Sequence, residues 1–243
     1  MLSKNQRKQI LLLKQKKYRI QKQLFVAEGE KVVQEFMDAG YEMHQLYATF
    51  SFQHPLCERI SGEEMQQLTH FKTASPLLAV FSIPEETALA PSDLMIALDG
   101  INDPGNLGTF IRLCDWYGIQ QLVCSPTTVD CYNPKTVQAA MGSLARVQCH
   151  YLDLAPWLQQ SELPSYGAQL EGQNLYTSAL RPKGVFVFGS ESHGLSDAVR
   201  SEIDHFITIP RFNKVSGAES LNVAIAGAIV ISELFRSSFP TQK

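Results

Sequence analysis

The sequence predicts a two-domain α/β protein whose second domain is built on a mainly parallel sheet. Three observations carry this expectation. The chain has 243 residues, long enough for two modest domains or one large one. The stretch PEETALAPSD holds two prolines and little apolar content, and it reads as a linker. From Leu94 onward strands alternate with helical segments, the pattern of a parallel sheet. The resulting boundaries are a first domain over 1–85, a linker over 86–93 and a second domain over 94–243.

In the first domain, Ser3 to Gln23 has helical composition, with Ile10, Leu11 and Leu13 among the charges. LFVAEG reads as a short strand. EKVVQEFMDAG follows as a helix, with Val32, Val33, Phe36 and Met37 on one face and Gly40 at the C-terminal cap position. HQLYAT, CERIS and LLAVFSIP are strand candidates, with a helix near Glu63 to Leu68. His44, His54 and His70 lack ligand spacing and read as surface or packing residues.

The second domain opens on the strand LMIALD, the turn GINDPG and a helix from Asn106 to about Tyr117. Leu107, Phe110, Ile111 and Cys114 share one face of that helix. QLVCS is the next strand, and PKTVQAAMGS the next helix, with Pro134 suited to a first turn. RVQCHYL is a strand, a helix lies near Ala155 to Gln160, and a further short strand precedes GVFVFGS. SDAVRSEI is helical, HFITIP is a strand, and SLNVAIAGAIVISEL reads as a buried helix opening with Ser220 as its N-cap. Its small residues Ala224, Ala226, Gly227 and Ala228 allow another backbone or a ligand to come close.

Composition narrows the function classes. Hydrophobic residues make up 44% and charged residues 19% of the chain, as in an ordinary soluble globular protein. No apolar run reaches transmembrane length, and the basic start lacks a signal-peptide core and cleavage site. Five cysteines, with no Cys-x-x-Cys pair, point to reduced thiols in a cytoplasmic protein rather than to disulfides or zinc. The net charge of −3 hides an asymmetry. Lys4, Arg7, Lys8, Lys14, Lys16, Lys17, Arg19 and Lys22 all precede the first acid, Glu28. Such a segment attracts a polyanion, or it forms a solvated basic helix.

Three loops after strands of the second domain hold the candidate chemistry, because ligands of open parallel sheets gather beyond the carboxyl ends of strands. In the first loop, Asn106 can cap the helix, and Arg112 lies nearly two turns farther on, able to direct five donors at a phosphate or carboxylate. Its plain role is a surface salt bridge. The glycines there match neither the dinucleotide fingerprint nor a P-loop. The second loop, GSESHGLS, places Glu191 between Gly189 and Gly194 directly after an apolar strand, so a partly buried carboxylate is expected. His193 has no visible partner and ranks below Arg112. The third loop carries Ser220 and Asn222.

Taken together, NDPGNLGTFIR (102–112), FGSESHGLS (188–196) and IP (209–210) followed by SLNVA (220–224) resemble, in order and spacing, the three motifs of the SpoU/TrmH-type RNA ribose 2′-O-methyltransferases of the SPOUT superfamily. FVAEGEKVV resembles the family's N-terminal RNA-binding extension, which has a ribosomal-protein-like α/β fold. The resemblance implies methyl transfer from S-adenosylmethionine to a ribose 2′-hydroxyl of RNA, a C-terminal trefoil knot that holds the cofactor, and a homodimer. By motif position the cofactor residues are Gly189, Gly194, Ile209, Pro210 and Leu221, and the catalytic set is Asn106, Arg112, Glu191, Ser220 and Asn222. No metal is implied. The family proposes Arg112 as the proton acceptor. A guanidinium, with a pKa above about 12, suits a phosphate clamp better. The loop between Pro210 and Ser220 looks longer than usual and carries Arg211 and Lys214, which leaves two roles open for it: contact with RNA or a changed lid on the cofactor pocket. The two-domain form favours ribosomal RNA over tRNA. The alternative is an RNA-binding or ribosome-assembly protein that keeps the fold without catalysis, which would not need all five catalytic residues.

Overall fold

The computed structural model describes residues 2–213 and 219–236. Its first elements are α1 (Lys4–Leu12), α2 (Lys16–Lys22), β1 (Leu24–Glu28), α3 (Glu30–Asp38), β2 (Met43–Ala48), β3 (Cys57–Arg59), α4 (Gly62–Leu68) and β4 (Leu77–Ser82). Then come β5 (Leu94–Asp99), α5 (Pro104–Trp116), β6 (Gln121–Cys124), α6 (Pro134–Ala140), β7 (Gln148–Tyr151) and α7 (Leu154–Gln159). The last are β8 (Ser165–Asn174), β9 (Gly184–Gly189), α8 (Asp197–Arg200), β10 (His205–Thr208) and α9 (Val223–Arg236). The chain forms two compact units. One joins Met1–Thr87 to Asp130–Arg146, and the other joins Ala88–Val129 to Val147–Lys243.

The first unit is a four-stranded sheet in the order β1-β4-β2-β3. Phe25, Phe36 and Phe81 meet in its core with ring centroids 5.0–5.8 Å apart, and Tyr132 from the inserted segment packs on Phe25 at 4.8 Å. The basic N-terminal segment is two helices rather than one. Ser3 and Gln6 close a capping box at the start of α1, and the helix stops at Leu12. Arg19 turns inward at the break. Its Nη1 donates to the Leu13 and Lys14 carbonyls at 2.8 and 2.9 Å, which the ending helix leaves without partners. Its Nε and Nη2 donate to Asp130 Oδ2 at 2.9 and 2.6 Å. Arg19 is 1% exposed, so it is a buried structural charge and not part of the exposed basic face expected from the sequence. The other seven cations of the segment are exposed. His70 is a packing residue, as expected, with Nε2 3.1 Å from the Ile10 carbonyl.

The second unit is a six-stranded sheet in the order β10-β8-β9-β5-β6-β7, and every neighbouring pair is parallel. The expected short strand before β9 is instead the ten-residue β8. Its sequence, SYGAQLEGQN, has little β character and takes its extended form from β9 and β10 on either side. β5 and β9 are buried along their whole length, as near-continuous apolar runs require. From β5 the chain winds through α5 to β6. From β9 it winds through α8 toward β10, on the opposite side. The carboxyl ends of β5 and β9 therefore bound a topological switch point, the place where open α/β sheets bind ligands. α9 packs against α5 and β9. At Gly227 a Cβ would lie 2.4 Å from the Phe110 ring, so only glycine admits this approach.

Candidate active site

The three loops predicted to carry chemistry meet at one amide. Asp103, not Asn106, caps α5, its side chain accepting from the Asn106 N–H at 2.9 Å. Asn106 thus sits in the first turn, 8% exposed, with its side chain available for another task. The cap of α9 is likewise Asn222 rather than Ser220. Asn222 Oδ1 accepts from the Ala224 and Ile225 N–H groups at 3.1 and 3.2 Å, and the Asn222 carbonyl accepts from Ala226 at 2.9 Å, the geometry of an N-cap. With the oxygen committed to the helix, Nδ2 must face outward. It donates to Asn106 Oδ1 at 2.9 Å and to Glu191 Oε1 at 2.5 Å.

Glu191 is exposed, contrary to the partial burial expected after an apolar strand. The loop explains this. Ser190 and Gly194 exchange two backbone hydrogen bonds of 2.9 Å, so residues 191–193 project as a tight tip. Gly194 turns the chain at φ +68°. A Cβ on Gly189 would lie 2.2 Å from the Gly194 backbone, so glycine is required where the tip folds back. The far side of the loop is held by Asp99, 6% exposed, whose Oδ2 accepts from the Ser196 N–H at 2.7 Å. Sequence reading did not assign Asp99 this role. The signal was the one that singled out Glu191, an acid closing an apolar strand.

Beside this network lies a cleft of about 620 Å³, within the usual range for small-molecule sites (about 300–1,000 Å³). Of the expected cofactor residues, Gly189, Gly194, Ile209 and Leu221 line it, as do Glu191 and Ser220. Pro210 does not. Phe188, Leu195, Ile207, Val223 and Val230 supply an apolar wall, and Glu171, Glu191 and Glu219 supply carboxylates. An apolar wall for a flat heteroaromatic ring and carboxylates for a cation suit S-adenosylmethionine, which carries an adenine, a sulfonium and an ammonium. His193 also lines the cleft, with Nδ1 2.7 Å from Ser192 Oγ.

Arg112 stands apart. It is exposed on α5 and does not line the cleft. Trp116, 84% exposed, lies four residues on and so on the same helix face. Arg211 is exposed, and Lys214 lies outside the described residues. Among the described residues, no group of three His, Cys, Asp or Glu could hold a metal ion, and no helix is long and apolar enough to cross a membrane.

Comparison with known proteins agrees with this geometry. The SpoU rRNA Methylase family profile matches residues 93–232, and the MRM3-like substrate binding domain matches residues 4–79. The 23S rRNA (guanosine(2553)-2′-O)-methyltransferase RlmP of Bacillus subtilis is 29% identical over 90% of this chain and 91% of its own length. A TrmH-family protein from Porphyromonas gingivalis superimposes with a TM-score of 0.86 at 37% identity, covering 98% of this chain and 99% of that one. An rRNA methyltransferase from Sinorhizobium meliloti, solved with AdoMet bound, superimposes with a TM-score of 0.84 at 25% identity over 99% and 97% of the two chains. With one profile spanning more than half the chain and the three motif loops meeting at the Asn222 amide beside the cleft, this protein belongs to the SpoU rRNA methylase family.

Proposed function

We propose that this protein methylates a ribose 2′-hydroxyl of ribosomal RNA, using S-adenosylmethionine bound in the cleft of the second unit. The observation that carries the reading is the Asn222 amide, which joins Asn106 and Glu191 at the edge of an acidic, apolar-walled cleft. When bound there, the cofactor supplies a methyl group already activated on a sulfonium. The protein's remaining work is alignment and the management of one proton. Asn222 fixes Asn106 and Glu191, and Glu191 presents negative charge toward the cleft. Gly189, Ile209, Leu221 and Ser220 shape the wall. Arg112 binds a phosphate of the RNA and lowers the cost of the developing alkoxide, while the proton leaves to that phosphate or to water.

Arg112 is exposed on α5 and is not among the residues that line its own cleft. A second copy of the chain, docked through the α5 face that carries Arg112 and the exposed Trp116, would complete the site, and we read the active form as a homodimer. We also read the described parts of the segment from Phe206 to Glu233 as the closing part of a trefoil knot. Its support is that α9 packs against α5 and β9 although β10 lies at the sheet edge. The exposed lysines of α1 and α2 attract the RNA backbone without reading its sequence. The five free cysteines suit a reducing cytoplasm.

The test is methyl transfer from labelled S-adenosylmethionine to ribosomal RNA, with tRNA as the comparison, followed by mapping of 2′-O-methyl sites in a strain lacking the protein. Transfer to ribosomal RNA and loss of a mapped site are expected. Failure to bind the cofactor at millimolar concentration leaves the non-catalytic RNA-binding reading in its place.

A further inference from the structure

Among the described residues, the cleft wall carries the carboxylates Glu171, Glu191 and Glu219 and a single guanidinium or ammonium, that of Arg200. Arg200 ends α8. That helix is tied down at its start by the Ser196 N–H donating to Asp99, and the Arg200 N–H donates to the Ser196 carbonyl at 2.8 Å. The guanidinium carbon lies 5.6 Å from the centroid of the Phe206 ring, a cation–π contact that orients the head group without using its five N–H donors. Among the described residues no carboxylate pairs with it.

An oriented guanidinium with free donors, set in a wall of carboxylates, selects an oxyanion carried by a ligand that is otherwise cationic. A nucleic-acid backbone entering the cleft would meet three carboxylates for one arginine, so a phosphate is disfavoured. S-Adenosylmethionine has one anionic group, the carboxylate of its amino-acid end, and two cations that suit the glutamates. We propose that Arg200 binds the carboxylate of the cofactor and so sets the preference for ligands that retain the amino-acid end. This rests on the reading of the cleft as the cofactor site.

Calorimetric titration of the full-length protein with S-adenosylmethionine, S-adenosylhomocysteine and methylthioadenosine tests it, because the last lacks the amino-acid end. Arg200→Gln should weaken the first two by about tenfold to a hundredfold, the usual worth of hydrogen bonds to a charged group, and leave methylthioadenosine within about twofold. Arg200→Lys keeps the charge and loses the planar fork, so it should fall between, and it carries the test if the glutamine variant does not fold. Equal weakening of all three ligands, or none, overturns the proposal. So does an Arg200→Gln variant whose only loss is in RNA affinity, which makes the residue a phosphate contact. Wild-type protein that binds none of the three ligands sinks the cofactor-site reading itself, a result distinct from the others.

Discussion

Asn222→Asp separates the two jobs of one amide. The change keeps an oxygen for the cap of α9 and removes both donors from Nδ2. The bond to Asn106 Oδ1 serves a residue only 8% exposed, and an acceptor left there without a partner costs about 1–3 kcal/mol. The bond to Glu191 is to an exposed carboxylate, so its loss is screened and small. In its place two carboxylates face each other, a repulsion of about 1 kcal/mol at 4 Å in water. Negative charge at the N-terminus of α9 returns about 0.3–1 kcal/mol. The net expectation is a loss of about 2 kcal/mol at pH 7. Urea unfolding at constant m measures it. Asn222→Ala loses the cap as well, worth about 1 kcal/mol, and has no repulsion. The two variants therefore part on acidification. The deficit of the aspartate variant relative to wild type should shrink below about pH 4, as the introduced carboxyl is protonated and regains a donor, while that of the alanine variant should not. A pH-independent deficit in the aspartate variant, or none at pH 7, refutes the assignment of Nδ2 to Glu191 and Asn106.

Five further outcomes are expected. Gly227→Ala drives a methyl to 2.4 Å from the Phe110 ring and should cost about 1–3 kcal/mol by denaturant unfolding, with partial recovery when combined with Phe110→Leu. Arg19→Ala leaves Asp130 without its buried partner and should lower stability by about 3–5 kcal/mol. Lys17→Ala should stay within about 0.5 kcal/mol yet reduce the salt slope of RNA binding by nearly one. Burial pulls the His70 imidazole down from 6.5 to about 4, with Lys14 and Arg19 adding to the effect. The unfolded chain therefore takes up this proton first, and stability is full above about pH 6.5 and falls by up to about 3 kcal/mol as the pH drops toward 4. Glu28, whose carboxyl burial raises, opposes that decline at the acid end, so the difference between wild type and His70→Gln is the proper reading. Arg112→Ala should abolish methyl transfer while cofactor affinity, measured by calorimetry, is unchanged. Near-normal turnover would remove Arg112 from the reaction.

Much of this was open to sequence reading because periodicity and strand ends are local signals. The alternation of strands and helices from Leu94 onward announces a parallel sheet, and the loops after β5, β9 and β10 hold Asn106, Glu191 and Ser220 as candidates. β8 was understated for a physical reason. Its residues have weak strand preference, and its length is set by two neighbours distant in sequence, which no local window contains.

The caps show where local reasoning stops. Asn106 and Ser220 each stand at a plausible helix start, and propensity alone cannot rank them against Asp103 and Asn222. What decides is where the spare polar atoms go. An Asn222 side chain that caps α9 has an amide nitrogen left over, and only Asn106 and Glu191, 116 and 31 residues away, accept from it. Asp103 as the cap of α5 frees the Asn106 side chain to be one of those acceptors. The two cap corrections are thus a single event. With Asp103 and Asn222 as the caps, the spare Asn222 amide nitrogen holds both the Asn106 side chain and the glutamate at the edge of the cleft. Arg19 follows the same logic in the other unit. Composition counts it among eight equivalent cations, yet the carbonyls left open by the break between α1 and α2 and the carboxylate of Asp130 engage all three of its guanidinium nitrogens, and of the seven that remain exposed six lie on the two helices and Lys14 in the turn between them.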